Sequence, residues 1–207
     1  MSTLHRYADY LPQEIPESFP SPVRNRERIK PLATGDFFPD FFIEEDKVIS
    51  SAQLLQHLKA GTSLHLLTGQ PLVIAFYSVN WNEYGDHLLA QLQEHHAAIE
   101  ATGARLLVLS SEQRKHFTAF NKEQLPFDVA WDVQHRIARK AGIYKESDPI
   151  WGRVSGVNAD VPVPAVFVVT PSLEITYSFT DTFMQRTFQA DELLAALMEK
   201  KNLAISA

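Results

Sequence analysis

The chain has 207 residues, a formal net charge of -6 and a pI near 5.7, and it contains no cysteine. The lack of cysteine excludes disulfide bonds, thiolate nucleophiles, thiolate metal ligands and thiol redox cycling within the chain. The acidic balance argues against nucleic acid as a partner. Hydrophobic residues make up 45% of the sequence, which is enough to build the core of one domain.

No segment of the sequence is typical of a signal peptide or a membrane span. The first ten residues lack an apolar core. The longest apolar run, Leu72 to Tyr77, is far shorter than the roughly 20 residues that a membrane helix needs. We therefore expect a soluble, cytoplasmic protein without a membrane partner.

Proline is concentrated near the start of the chain. Six of the 12 prolines lie between Met1 and Pro39, and proline interrupts regular helices. We predict an irregular N-terminal arm over residues 1–34 and a folded domain over residues 35–207. The arm contains four side chains that are expected to pack against the domain, namely Tyr7, Tyr10, Leu11 and Phe19.

Strand and helix patterns alternate from Gly35 onward. Short apolar runs predict buried strands at 72–77, 106–109, 127–131 and 166–169. A turn at Thr170-Pro171-Ser172 is followed by an alternating segment, 175–179, that predicts a half-exposed strand. This order is typical of an α/β fold that ends in an antiparallel hairpin and a helix.

Five segments have the periodicity of an amphipathic helix. The first runs from Ser50 and Ser51 to Gly61 and includes Leu58, and the second has one apolar stripe formed by Leu88, Leu89, Leu92, His96 and Ile99. The third is marked by Phe117 and Phe120, and the fourth contains Val133, Ile137 and Ala141. The fifth is the final helix, over residues 191–200.

The run from Leu72 to Tyr77 is apolar at every position, as expected for a parallel strand that helices cover on both faces. We predict that it is the central strand of the sheet. Because side chains alternate along a strand, one face should carry Val73, Ala75 and Tyr77, and the other Leu72, Ile74 and Phe76.

Four stretches, read in chain order, match the motifs of one family. They are G-D-F-F-P-D-F at 35–41, V-I-A-F-Y-S-V-N-W-N-E-Y-G at 73–85, V-P-V-P-A-V-F-V-V at 161–169 and D-T-F-M-Q-R at 181–186. These stretches resemble the peroxiredoxin-like proteins of the alkyl hydroperoxide reductase/thiol-specific antioxidant (AhpC/TSA) family. The resemblance implies a thioredoxin-like three-layer sandwich, in which helices flank a central mixed β-sheet. It also implies a cis peptide bond between Val163 and Pro164.

The same resemblance indicates that the family's chemistry is missing. Gly85 stands at the position of the nucleophilic cysteine, and Asn82, Ser78 and Pro164 stand at those of the threonine, proline and arginine. Reduction of a peroxide needs a thiolate that attacks the O–O bond. We therefore predict no catalytic residue and no self-sufficient thiol peroxidase activity. The prediction that follows is a non-catalytic binding or interaction module, with an antioxidant-pathway protein or an enzyme with new, non-thiol chemistry as alternatives.

The former active-site pocket can still bind a ligand. Asn82 is suited to cap the helix that follows it. Arg186 either lies near the pocket or pairs with Asp181, and Trp81 belongs either to the pocket rim or to the core. The predicted ligand-binding set is Trp81, Asn82, Tyr84, Gly85, Val163, Pro164 and Arg186.

We predict no cofactor and no metal. Glu83 and His87 are four residues apart on one helix face, but this spacing is more typical of a surface pair than of two zinc ligands. The family resemblance implies a homodimer, while a protein or small-molecule partner stays unidentified at this point.

Overall fold

The computed structural model describes residues 27–56, 60–121 and 124–205, with side chains described up to residue 199. The predicted arm contacts of Tyr7, Tyr10, Leu11 and Phe19, and the predicted helix position Leu58, lie outside these residues. The strands are β1 (Phe42–Ile43), β2 (Val48–Ser50), β3 (Thr62–Ser63), β4 (Leu72–Tyr77), β5 (Arg105–Ser110), β6 (Asp128–Trp131), β7 (Ala165–Val169) and β8 (Ile175–Thr180). The α-helices are α1 (Leu64–Leu67), α2 (Glu83–Glu94), α3 (His96–Ala101), α4 (Arg114–Phe120), α5 (Arg136–Lys140) and α6 (Ala190–Ile205).

A six-stranded mixed sheet forms the centre of the molecule, with the strand order β2-β6-β5-β4-β7-β8. Strands β4, β5 and β6 are parallel, whereas β2, β7 and β8 pair antiparallel with their neighbours. Strands β1 and β3 form a separate two-stranded sheet. Helices cover both faces of the central sheet, which is the predicted three-layer, thioredoxin-like arrangement. None of the described helices has the length and apolar character needed to cross a bilayer.

Strand β4 lies inside the sheet between β5 and β7, as predicted from its sequence. All six of its residues are buried. Leu72, Ile74 and Phe76 belong to one hydrophobic core, and the alternate residues belong to the other. The predicted division of the two faces is therefore confirmed, because successive side chains of a strand point to opposite sides.

The predicted helix over residues 50–61 is wrong for the part that the structure describes. Ser50 ends β2, and residues 52–56 form a bend and turn instead. The carboxylate of buried Asp128 accepts hydrogen bonds from the backbone N–H groups of this turn. These donors are Ala52 (3.0 Å), Gln53 (3.1 Å), Leu54 (2.9 Å) and Leu55 (3.0 Å). A long-range acceptor thus replaces the local bonds of a helix.

The long helix predicted from Leu88 to Ile99 is divided into α2 and α3 at His95. The backbone of His95 has φ -96° and ψ 5°, which lies in the bridge region outside the helical range. Its ring Nδ1 lies 3.0 Å from the Gln91 carbonyl oxygen, which also accepts the His95 backbone N–H. The side chain thus shares the acceptor of a helical hydrogen bond at the break.

The predicted cis bond between Val163 and Pro164 is wrong, because the structure has no cis peptide bond in the described residues. The backbone groups on both sides are satisfied in the trans form. Val163 N–H donates to the Ile143 oxygen (3.0 Å), and the Pro164 oxygen accepts from Asp181 N–H (3.0 Å). A trans X-Pro bond is favoured by about 0.5–1 kcal/mol, so no contact here needs to override that preference.

Residues 27–34, which belong to the predicted arm, contact the domain where the structure describes them. The Leu32 N–H donates to the Ala141 oxygen (3.1 Å), and the Ile29 N–H donates to the Asp148 carboxylate (2.9 Å). The boundary at residue 34 stays a prediction.

Candidate functional site

The loop between β4 and α2 carries the positions that the family resemblance assigns to the missing reactive groups. Gly85 is buried in the first turn of α2. A Cβ on this residue would lie 2.8 Å from the Ser78 carbonyl oxygen and 3.3 Å from the Tyr77 ring. The first of these distances is shorter than van der Waals contact permits, so the helix start packs directly on the end of β4 and leaves no room for a side chain.

Trp81 belongs to the core and not to a pocket rim. Its side chain is only 1% exposed, and its indole N–H donates to the Pro162 carbonyl oxygen at 3.0 Å. The neighbouring residues Val163 and Pro164 are also buried. Trp81 thus ties the loop after β4 to the segment before β7, with its polar atom satisfied as buried tryptophans require.

Asn82 stands at the N-cap position of α2, but its side chain does not cap the helix. Its backbone adopts φ 53°, and its side-chain amide donates to the Gly156 oxygen at 3.2 Å. The Asn82 carbonyl instead accepts the N–H groups of Gly85 (2.9 Å) and Asp86 (3.2 Å). The backbone therefore satisfies these first helical donors.

Tyr84 and Arg186 meet at the buried carboxylate of Asp181. The Tyr84 hydroxyl donates to Asp181 Oδ2 at 3.1 Å, and the backbone N–H of Arg186 donates to the same oxygen at 2.6 Å. The Arg186 guanidinium lies over the Phe179 ring, 5.2 Å from its centroid. Burial, reinforced by Asp181, raises the pKa of Tyr84 well above its usual range. The predicted surface pair of Arg186 and Asp181 does not form, because Asp181 is buried and only the Arg186 backbone N–H contacts it.

The structure brings most of the predicted set into one packed region. The hydrogen bond from Asp181 N–H to the Pro164 oxygen joins the Tyr84 and Arg186 contacts to the segment that holds Trp81. Tyr84 also lines a mainly apolar cavity of about 380 Å³ together with His87 and Phe188. Ligand binding by this set stays a prediction.

Glu112, which follows β5 and is buried, was not among the predicted site residues. One of its carboxylate oxygens accepts from the Ser78 hydroxyl (2.6 Å) and the Asn80 side-chain amide (3.1 Å). The other accepts from the Ser110 hydroxyl (3.1 Å) and the Val79 N–H (3.2 Å). Four donors therefore compensate the buried charge and join the ends of β4 and β5. An acidic residue two positions after the end of β5 is not by itself a signal of burial.

An open cleft of about 670 Å³ lies at the carboxyl ends of the parallel strands. It is lined by residues that follow β4, β5 and β6, with further contributions from α4 and from the segment before β7. The polar, charged and aromatic side chains of the lining include Asn80, Glu112, Lys115, His116, Trp131, His135 and Asp160. Among the described residues, no group of three or more His, Asp or Glu side chains is placed to hold a metal ion.

The mixed sheet, with its loop-to-helix connection after the central strand, defines a thioredoxin-like protein of the peroxiredoxin type, and its sequence contains no cysteine. The family model described as the AhpC/TSA family matches residues 35–178, and the chain belongs to this family.

Solved structures that resemble the chain carry the same fold at low sequence identity. Mycobacterium tuberculosis AhpC is 18% identical with a TM-score of 0.60, over 81% of this chain and 92% of that one. Enterococcus faecalis AhpC is 16% identical with a TM-score of 0.62, over 84% and 95%. The mitochondrial 2-Cys peroxiredoxin from Plasmodium falciparum is 11% identical with a TM-score of 0.65, over 84% and 96%. No curated protein sequence matches the chain significantly.

Proposed function

We propose that this protein is a non-catalytic member of the AhpC/TSA family that acts as a binding module and has no thiol peroxidase activity. The observation that carries the proposal is the packing at Gly85. The position where the family places its nucleophile has neither a side chain nor the space for one, because the Ser78 carbonyl oxygen lies against it.

The surroundings of Gly85 support the same proposal. A peroxidase needs positioned donors to stabilise the transition state. Here the N–H groups of Gly85 and Asp86 donate to the Asn82 carbonyl, and the Ser78 hydroxyl donates to Glu112. Pro164 has no N–H and no charged side chain with which to replace an arginine.

The proposal is tested with a coupled assay on the purified full chain. Hydrogen peroxide or an organic peroxide is added with thioredoxin or dithiothreitol as the reductant, and a cysteine-containing peroxiredoxin serves as the positive control. We expect turnover no higher than that of the heat-inactivated protein. Turnover comparable to the positive control would overturn the proposal.

The same assay separates the alternatives. An antioxidant-pathway role through a partner predicts no turnover alone, but an increased rate when a cysteine-containing peroxiredoxin is present. An enzyme with non-thiol chemistry that acts on hydrogen peroxide predicts disproportionation of the peroxide to water and oxygen, without consumption of the reductant.

We further propose that the protein is a cytoplasmic homodimer, as the family resemblance implies. Large aromatic side chains such as Trp151 (57% exposed) and Phe183 (51% exposed) supply apolar surface for such an interface. Light scattering coupled to size-exclusion chromatography tests the oligomeric state. A mass near 23.4 kDa at all concentrations would show a monomer.

A further inference from the structure

We propose, on the basis of the binding function above, that a basic groove between residues 28–30 and the loop after α5 binds an extended acidic segment of a partner protein. The groove has a volume of about 350 Å³ and shares no lining residue with the cleft at the carboxyl ends of the parallel strands. Its charged lining consists of Arg28, Lys30, Arg139, Lys145 and Glu146.

Backbone contacts hold one wall of the groove against the domain. The Ile29 N–H donates to the Asp148 carboxylate at 2.9 Å, and this carboxylate also pairs with Arg153 at 3.0 Å. The Lys30 carbonyl oxygen occupies the space that a Cβ on Gly142 would need, so the two backbones lie in direct contact. Because this wall is already ordered, a partner does not have to order it on binding.

The spacing of the cations on this wall favours an extended partner. Ile29 packs against the hydrophobic core, whereas Arg28 and Lys30 on either side of it are exposed. In an extended chain such alternate residues lie about 7 Å apart, and an extended partner repeats its same-side residues at the same interval. The sequence places two more cations at this interval, Arg24 and Arg26. A partner with acidic residues at alternate positions therefore matches the basic groove.

The charges around the groove leave it positive. Four of the lining side chains are cationic, and Glu146 is acidic. Arg139 pairs with Glu146, and Lys145 pairs with Glu27, which lies outside the lining. Each of these two acids is thus matched by one cation, and two cations remain.

The remaining cations are Arg28 and Lys30. Neither side chain has a hydrogen bond or ion pair with any residue that the structure describes. Guanidinium and ammonium groups form charge-assisted hydrogen bonds with carboxylates. These two side chains are therefore available to the acidic residues of a partner.

The aromatic residue of the lining argues against a nucleic acid. Tyr144 is only 7% exposed. Its ring already contacts the His135 ring, with centroids 4.4 Å apart, and the Arg139 guanidinium at 4.7 Å. It therefore offers no stacking platform to a base, and the net charge of -6 repels a long polyanion.

A heptapeptide with the sequence E-T-E-T-E-T-E is a suitable probe, because in an extended conformation all its carboxylates lie on one side. The full chain, labelled with ¹⁵N, is titrated with this peptide and followed by NMR. The peptide E-E-E-E-T-T-T has the same composition and charge, but only half of its carboxylates lie on one side. K-T-K-T-K-T-K reverses the charge, and hexathymidylate represents a nucleic acid.

We expect the alternating peptide to shift the backbone amides of residues 28–30 and 142–146, with a dissociation constant on the order of 0.1 mM at low salt. The block peptide should bind about threefold more weakly, since an exposed ion pair contributes about 0.2–1 kcal/mol. No shift at 20-fold this concentration would overturn the proposal, as would equal affinity for the block or the reversed peptide. Tighter binding of hexathymidylate would overturn the assignment of a protein partner.

Lys30→Gln tests one of the two available cations. We expect affinity for the alternating peptide to fall about threefold, and about tenfold when Arg28→Gln is added. Lys115→Gln is the matched control, because Lys115 is also exposed but lines the separate cleft, and it should leave binding unchanged. Equal losses for Lys30→Gln and Lys115→Gln would show that only net charge matters, which would contradict the basic groove. A thermal melt of each variant confirms that it is folded.

These outcomes are distinguishable from a failure of the proposed function. If the peptide binds at the groove and the peroxidase assay is negative, both proposals stand. If the peptide binds but the native chain turns over peroxide, the interface holds while the non-catalytic assignment fails. If no peptide binds and the peroxidase assay is negative, the partner class is wrong while the lack of thiol peroxidase activity still holds.

Discussion

At residue 85, the absence of a side chain is a packing requirement. The Ser78 carbonyl oxygen is a backbone atom and cannot rotate away from an added Cβ. Overpacking of this kind typically costs about 1–3 kcal/mol. We therefore expect Gly85→Ala to lower the free energy of unfolding by about that amount, as measured by urea denaturation. Gly152→Ala is the matched control, since no atom lies within 4 Å of its Cβ position, and it should be close to neutral.

The same crowding bears on an attempt to restore the family's chemistry. Gly85→Cys introduces a thiol at the nucleophile position, but the helix start must shift before the side chain fits. We expect at most slow, poorly selective oxidation in the coupled assay, since geometry supplies much of such a rate. A variant as stable as the native chain and with family-like turnover would show that the site is intact apart from its cysteine.

At the scale of the elements, β4 contributes more to stability than any edge strand, because both its faces are buried. Phe76 is 1% exposed and packs edge-on against Phe167, with the ring centroids 6.3 Å apart. We expect Phe76→Ala to cost about 3–5 kcal/mol. Phe120→Ala removes the same atoms from a side chain that is 64% exposed, so it should change stability little. Similar losses in both variants would contradict the assigned burial.

The turn at residues 52–56 depends on a single distant carboxylate. Asp128→Ala leaves four backbone N–H groups without their acceptor. Since a hydrogen bond to a charged group contributes about 1.5–3 kcal/mol, we expect a loss of at least about 2 kcal/mol and faster amide hydrogen exchange at residues 52–55. Asp40→Ala, at an exposed position, is the control. Unchanged exchange would show that other contacts hold the turn.

Hydrophobic pattern was sufficient to predict five of the six strands of the central sheet, but it missed the short edge strand β2. A strand such as β4 is encoded locally, by six consecutive apolar residues. The turn at residues 52–56 is not, because its acceptor, Asp128, lies 73–76 positions away in the sequence. The break at His95 escaped prediction for a different reason. A half-buried histidine fits the helical period, so the sequence gives no sign of a break. Only the contact of the His95 ring with the Gln91 carbonyl oxygen distinguishes it from a residue inside a helix.

The candidate site was only partly predictable. Motif resemblance assigns Ser78, Asn82, Gly85 and Pro164 to the positions of the family's active-site residues, and this assignment stays a prediction. Pattern alone could not identify Glu112, because glutamate is almost never fully buried unless it is paired. Its partners come from the ends of two strands and the loop after β4, and they are assembled only by the parallel register of β4 and β5.

At the scale of the whole molecule, buried tyrosines should limit stability in alkali. Burial raises the pKa of Tyr77 and of Tyr177 from the ordinary 10.0 to about 12. The unfolded chain therefore releases these protons near pH 10, while the folded protein keeps them until about pH 12. The folded state binds more protons in this window, so the free energy of unfolding falls as the pH rises from 10 to 12.

Urea denaturation at pH 9 and at pH 11 measures this effect. Tyr177→Phe should reduce the pH dependence, and it should not destabilise the protein at pH 9, because the buried Tyr177 hydroxyl has no hydrogen-bond partner among the described residues. Equal stability of the native chain at the two pH values would contradict the burial of these phenols.

The segment at residues 35–38 protects the protein against aggregation, because it covers part of an exposed sheet edge. β8 is an edge strand, and an open edge can recruit strands from other chains into aggregates. The Ile175 N–H donates to the Asp36 carbonyl oxygen, and the Ile175 carbonyl oxygen accepts the Gly35 N–H. The Leu173 carbonyl oxygen accepts the Phe38 N–H. These bonds shield the first part of the edge. A chain that began after residue 38 would expose that part of the edge, and we would expect it to precipitate at concentrations where the 207-residue chain stays in solution.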